Sequence, residues 1–266
     1  MPGIFTYAFM QKALLTAVCI SVIAPCIGLV IVLKRLSAIG DATSHTALAG
    51  IAFGLAFGLN PVLGAVVFSL LAVLSIEGLR KYFGKYAEIS TTVVLSAGVG
   101  LTAVFSGFIT GAGANLNSFL FGSIVAVSDF ELALTVGLSV VVLAVSVLLY
   151  RDLFFISFDE EAARLGGVRV KAVNVVFMLL TAITVSVASR TVGALMISSL
   201  MVIPVACALT VAKSYRQAFV FSILFALFFT LAGLILAYYL DLKPGGTIVL
   251  MGVAVLLVMM AVKGRR

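Results

Sequence analysis

The chain is dominated by long stretches without a single charged side chain. Residues 13–33, 42–76, 89–128, 132–150, 191–212, 217–240 and 244–262 contain no Asp, Glu, Lys or Arg. A hydrocarbon layer about 30 Å thick is crossed by roughly 20 apolar residues at 1.5 Å rise each. Backbone groups in lipid must bond within their own segment, so such runs fold as helices. Composition agrees: 63% of the 266 residues are hydrophobic and 10% charged. Soluble domains run nearer 45–50% and about 25%, and no soluble interior of this size would hide the excess. The expected class is all-α, a polytopic helical membrane protein.

The 35-residue run 42–76 is too long for one crossing, and Asn60-Pro61 marks a turn inside it. It divides into spans of about 37–58 and 61–79. The run 89–128 holds a span of about 88–109, then the polar Gly111–Ser118 loop, then Phe119–Val127, which is too short to cross and is expected to be re-entrant or interfacial. With spans near 13–33, 131–150, 171–189, 192–212, 217–240 and 245–262, nine crossings are expected in a single membrane domain, 1–266. Alternating the loops puts every Lys and Arg except Lys12, Arg190 and Lys243 on one side. The positive-inside rule makes that side cytoplasmic, with the N-terminus outside and the C-terminus inside. The net charge of +7 therefore reflects orientation and implies no nucleic acid partner. Ala13–Leu33 has its positive charges after it, unlike a signal peptide, and is expected to be a retained span. Cys19, Cys26 and Cys207, all in apolar runs, form neither a disulfide framework nor a metal motif.

An ionisable group inside a span is costly and marks function. Asp41 is the one acidic residue set several residues inside an expected span, beyond the Lys34-Arg35 boundary, and His45 is the only histidine. Four apart on a helix, they project from one face, roughly 6 Å apart. Imidazole and carboxylate at this spacing suit a divalent transition metal such as Zn²⁺ or Mn²⁺. The same pair also fits a structural ion pair or a proton relay. Ser37, Thr43, Ser44 and Thr46 make this helix start look wetter than any other. One chain offers two ligands; a homodimer with this face on its axis would offer four. Asn115 and Asn117 are candidate oxygen ligands at the outer mouth, or simply loop turn residues. Gly50, Gly54 and Gly58 form a four-residue glycine ladder, expected to pack tightly against another helix.

The longest cytoplasmic loop contains a short helix at about 158–167, capped by Ser157 or Asp159, with Glu160 and Glu161 in its first turn and Gly166-Gly167 at its end. It serves either as a solvated connector or as a helix that inserts into a partner's groove. Nothing in the chain hydrolyses ATP: Gly78–Lys85 has five residues between its glycines instead of four, and Tyr86 stands where Ser or Thr is needed. One histidine also cannot supply the ligands and base of an intramembrane metalloprotease.

Four segments in order carry a resemblance. Leu33–Gly54 is similar to an R-x-S-x-x-x-D-x-x-x-H-x-x-L-x-G-x-A stretch, and Phe119–Ile124 to a y-L-F-G-s-i segment. Phe158–Gly167 looks like a coupling helix, and Val192–Ala206 matches V-G-x-L-x-x-x-x-L-x-x-x-P-x-A. Together they resemble the membrane permeases of the zinc/manganese/iron class of bacterial ABC importers. The resemblance implies a non-enzymatic, homodimeric permease in the bacterial inner membrane. It also implies a separate cytoplasmic ATPase and an extracellular or periplasmic metal-binding protein. It assigns Asp41 and His45 to the metal pathway, and Asp159, Glu160, Glu161, Ala163 and Gly166 to ATPase coupling. The metal is cargo; no resident cofactor is expected. Manganese-type relatives often have proline in an H-A-V-L-P-G pattern, and His45-Thr-Ala-Leu-Ala-Gly50 lacks it, which leans towards zinc. The alternative is a secondary transporter or channel using Asp41 and His45 as an ion relay.

Overall fold

The computed structural model describes residues 8–109, 116–122 and 128–263, and every regular element among them is helical. In chain order these are α1 (Ala8–Leu33), α2 (Ala38–Ala56), α3 (Pro61–Phe83), α4 (Ala87–Ser106), α5 (Leu116–Phe121), α6 (Asp129–Leu148) and α7 (Tyr150–Phe158). They continue with α8 (Glu160–Leu165), α9 (Val170–Ala188), α10 (Ala194–Val211), α11 (Tyr215–Leu240) and α12 (Pro244–Lys263). A short π-helical turn, Ser189–Gly193, joins α9 to α10.

Polar side chains set the boundaries. Asn60 closes the turn expected inside the long apolar run: its Oδ1 accepts from the Val62 and Leu63 amides, and Pro61 takes the first helical position, where no amide is needed. Ser128 and Glu131 form a reciprocal capping box at the start of α6. Ser214 accepts from the Gln217 amide to start α11, and Asp241, in the left-handed region, ends it.

Among the described residues, seven helices are long and apolar enough to cross a membrane: α1, α3, α4, α6, α9, α11 and α12. Nine were expected. The other two expected spans coincide with α2 and α10. In α2, Asp41, His45 and hydroxyl side chains dilute the apolar content, while in α10 the described apolar stretch, Met196–Val211, is shorter than a full crossing.

The helices divide into two compact units. The first contains α1, α6, α7, α8, the end of α10, α11 and α12. Here α1 packs against α6, α7 and α11, and α11 against α12. A hydroxyl pair, Ser21 to Thr230 at 2.7 Å, ties α1 to α11 at a buried point, and Lys12 meets Asp129 at 2.6 Å at the start of α6. The second unit contains α2 to α5, most of α9 and the start of α10. Its α2 packs against both α3 and α4. Ile39, Ala42, Val73, Ile76, Val94, Met178 and Ala182 form one apolar core there, and Ala47, Ile51 and Ala65 a second.

Candidate metal pathway on α2

Tight packing decides what α2 can present. Gly50 of α2 and Gly64 of α3 face each other so closely that a Cβ on either would strike the other's carbonyl oxygen. One turn on, a Cβ at Gly54 would stand 2.8 Å from Pro61 Cα. On another side, Gly98 of α4 would bring a Cβ to 2.9 Å from the Thr46 amide and 3.0 Å from the His45 carbonyl carbon. Four glycines therefore let α3 and α4 close against the α2 backbone. Gly58, expected to continue the ladder, lies beyond the end of α2. It adopts φ +66° in the turn before Asn60 and faces open space, so its task is conformational.

Three of the four hydroxyls at the start of α2 are not wet. Thr43 donates to the Ile39 carbonyl at 2.6 Å, Ser44 to Gly40 at 2.7 Å and Thr46 to Ala42 at 2.9 Å. All three are buried. Each satisfies itself one turn back, which lets a polar sequence pack as though apolar. The expectation of a hydrated helix start fails at these three positions for that reason, while Ser37, ahead of the helix, is exposed as expected.

Asp41 and His45 remain. Asp41 is exposed and His45 partly so, whereas residues 42–44 and 46–52 are all buried. With Ala38 they form a single accessible stripe at i, i+3 and i+7 along the first half of α2. Asp41 lies in the first helical turn, where the amide ends favour a negative charge. The opposite side of the His45 turn is fixed by α4, whose Thr102 hydroxyl reaches the His45 carbonyl at 3.5 Å, the edge of hydrogen-bond range. A carboxylate and an imidazole on a rigid, otherwise sealed helix can accept a divalent cation from one direction and release it, since two side chains do not close a coordination shell. Among the described residues no cluster of three or more His, Cys, Asp or Glu side chains could hold a metal. Asn115 lies outside the described residues. Asn117 lies on α5.

The expected coupling segment is two helices broken at Asp159. The Asp159 carboxylate caps α8, accepting from the Glu161 and Ala162 amides at 3.0 and 2.9 Å. Glu160 meets Lys34 of the α1 end at 3.7 Å. Ala163 is buried, its side chain packed on this chain. Gly166 has an ordinary backbone, and the left-handed residue is Gly167 at φ +88°. What α8 offers outward is Leu165, 89% exposed, beside Phe158 at 66%. Sequence patterning missed Leu165, although an apolar side chain among charged neighbours on a short loop helix was the signal available.

The structural partners of α2, Gly64 and Gly98, were equally missed, because each becomes meaningful only once the helices are paired. A substitution separates their role from chemistry. Gly98→Leu is expected to lower the melting temperature of the purified protein sharply, since a side chain at that position overlaps the α2 backbone. Gly100→Leu, on the same helix with open space around it, is expected to leave melting nearly unchanged.

The model of the ABC 3 transport family matches residues 6–263. A probable metal transport system membrane protein of Treponema pallidum is 36% identical over 257 residues, covering 96% of each chain. The manganese import system permease protein ScaB of Streptococcus parasanguinis is 33% identical over 248 residues, 93% of this chain and 88% of the relative. Among solved structures, PsaBC from Streptococcus pneumoniae in complex with Fab superposes with a TM-score of 0.86 at 28% identity, over 97% of this chain and 93% of that one. An inward-facing putative metal-chelate type ABC transporter shares the fold, with a TM-score of 0.74 at 18% identity over 95% and 85%.

Proposed function

We propose that this chain, which belongs to the ABC 3 transport family, uses Asp41 and His45 as the cargo-binding step of its transport path. It is a multi-pass membrane permease of a metal ABC importer in the bacterial inner membrane. Permeases of this family are not enzymes, and the ATPase of such systems is a separate subunit. The observation that supports the binding site is the accessible Asp41–His45 stripe on a helix otherwise sealed by α3, α4 and self-bonded hydroxyls.

The preferred cargo is Mn²⁺, with Zn²⁺ second. The missing proline after His45 leaned the other way. Two features outweigh it: several relatives, among them proteins of Streptococcus parasanguinis and Listeria monocytogenes, are named for manganese transport, and one imidazole with one carboxylate is not a strongly zinc-selective set. Direction is import, with the N-terminus outside and the basic loops inside, as the positive-inside distribution of Lys and Arg favours. Partners are a cytoplasmic ATPase and an external metal-binding protein. The glycine face gives no support to a second copy, because α3 of the same chain already occupies it. A homodimer rests on ligand count alone: a second copy would bring the side-chain donors from two to four.

The coupling role of α8 is tested at its outward side chain. Leu165→Arg is expected to preserve insertion and folding while cutting ATPase co-purification, or the stimulation of ATP hydrolysis by cargo, about tenfold, as loss of one buried apolar anchor at an interface does. Unchanged co-purification and stimulation would leave α8 a connector.

A further inference from the structure

The first unit carries an apolar groove that the transport path does not use. Val211 at the end of α10 and Phe221, Leu224, Phe225 and Phe228 of α11 line a space of about 400 Å³. The α11 residues fall at i, i+3, i+4 and i+7, one continuous stripe. Leu224 and Phe228 are more than half exposed, so the groove opens outward, towards the bilayer.

Its α10 end is basic. The Lys263 ammonium, at the end of α12, donates to the Thr210 carbonyl at 2.6 Å, one residue before Val211. Lys213 stands two residues after Val211, its amide fixed to the Gln217 side chain at 2.8 Å, and its side chain is exposed. Among the described residues neither lysine forms an ion pair with a carboxylate. The nearest acid along α11 is Asp241, at the far end of the helix. A carbon-lined slot of this volume ending in two ammonium groups fits one molecular shape on a membrane protein: an acyl chain joined to an anionic head group.

We propose that this groove holds an anionic phospholipid, its phosphate at Lys213 and Lys263 and one acyl chain along Phe221, Leu224, Phe225 and Phe228. Phosphate provides the charge that these lysines lack within the chain. The aromatic stripe provides a rigid wall that an acyl chain follows with little loss of side-chain freedom. The site is independent of the metal pathway and would stand whatever the cargo.

The chain has no tryptophan, which makes a single introduced indole a clean reporter. Phe228→Trp protein is reconstituted in vesicles containing brominated phosphatidylglycerol or brominated phosphatidylcholine, and quenching gives the relative binding constant. The expected preference for the anionic lipid is about thirtyfold, the factor that two well-placed lysines supply near a membrane surface. Lys213→Gln with Lys263→Gln should bring it close to one. Arg216→Gln, about 130° round α11 from the groove stripe, should leave most of it. Should Phe228→Trp fail to fold, Leu224→Trp reports on the same groove with the same expectations. Equal quenching by the two lipids overturns the proposal, as does a preference that survives loss of both lysines or falls equally with Arg216→Gln. Protection from both lipids would also overturn it and mark a face covered by protein, such as a second copy.

Discussion

His45→Ala and Asp41→Ala are each expected to lower metal uptake by about two orders of magnitude while leaving protein levels and melting temperature close to those of the parent. The physical reason is the environment of the pair. Every other residue from Ala42 to Ala52 is buried against neighbours, whereas Asp41 is exposed and His45 partly so, so truncating these two disturbs less packing than truncation elsewhere in that stretch. Losing even a supporting partner of a metal ligand commonly costs 10–100-fold in affinity, and losing one of only two ligands should cost at least that. Asp41→Glu keeps the carboxylate but moves it outward by one methylene, and should retain partial uptake. A proton relay makes a different prediction: uptake in the parent would follow the proton gradient and collapse with an uncoupler while ATP remained available. Normal uptake in either alanine variant would remove Asp41 and His45 from the pathway.

The second large effect is structural and lies on the same helix. Gly50→Leu is expected to prevent α2 and α3 from closing and to cost about 3 kcal/mol or more, beyond ordinary overpacking, because the obstruction is backbone and not a side chain that can rotate away. Gly64→Leu should match it, since the two positions block each other reciprocally. Gly58→Ala should cost only about 1 kcal/mol, the penalty of a left-handed backbone without glycine in a place with free space. Size-exclusion profiles and thermal melting in detergent separate the cases. Comparable losses at 50 and 58 would mean that the ladder acts as one helix face, as its spacing alone suggested.

That contrast shows where sequence was legible. Charge-free length predicted membrane helices, and Asn60-Pro61 predicted the break between α2 and α3, because these features are written locally in side-chain chemistry. The Asp41–His45 pair was legible for the same reason: ionisable groups stand out in an apolar run. What sequence could not supply was pairing. Gly50 gives no sign that its counterpart is Gly64, nor Thr46 that Gly98 lies over it. Thr43, Ser44 and Thr46 looked hydrated because polarity was read without asking where each hydroxyl proton goes; it goes to the helix's own carbonyls. Ala163 was assigned to coupling by resemblance, and that its side chain is buried was not legible from the loop alone. The cargo was least legible, since imidazole and carboxylate together serve both zinc and manganese.

The most direct measurement is metal accumulation in vesicles holding this chain with its ATPase, loaded through an external binding protein, with radioactive manganese and zinc compared side by side. The expected result is accumulation that requires ATP, ignores a proton uncoupler, is greater for manganese and is lost with His45→Ala. Accumulation that proceeds without ATP, follows a proton gradient, or survives His45→Ala unchanged would contradict the assignment of this chain as an ATP-driven metal permease working through Asp41 and His45.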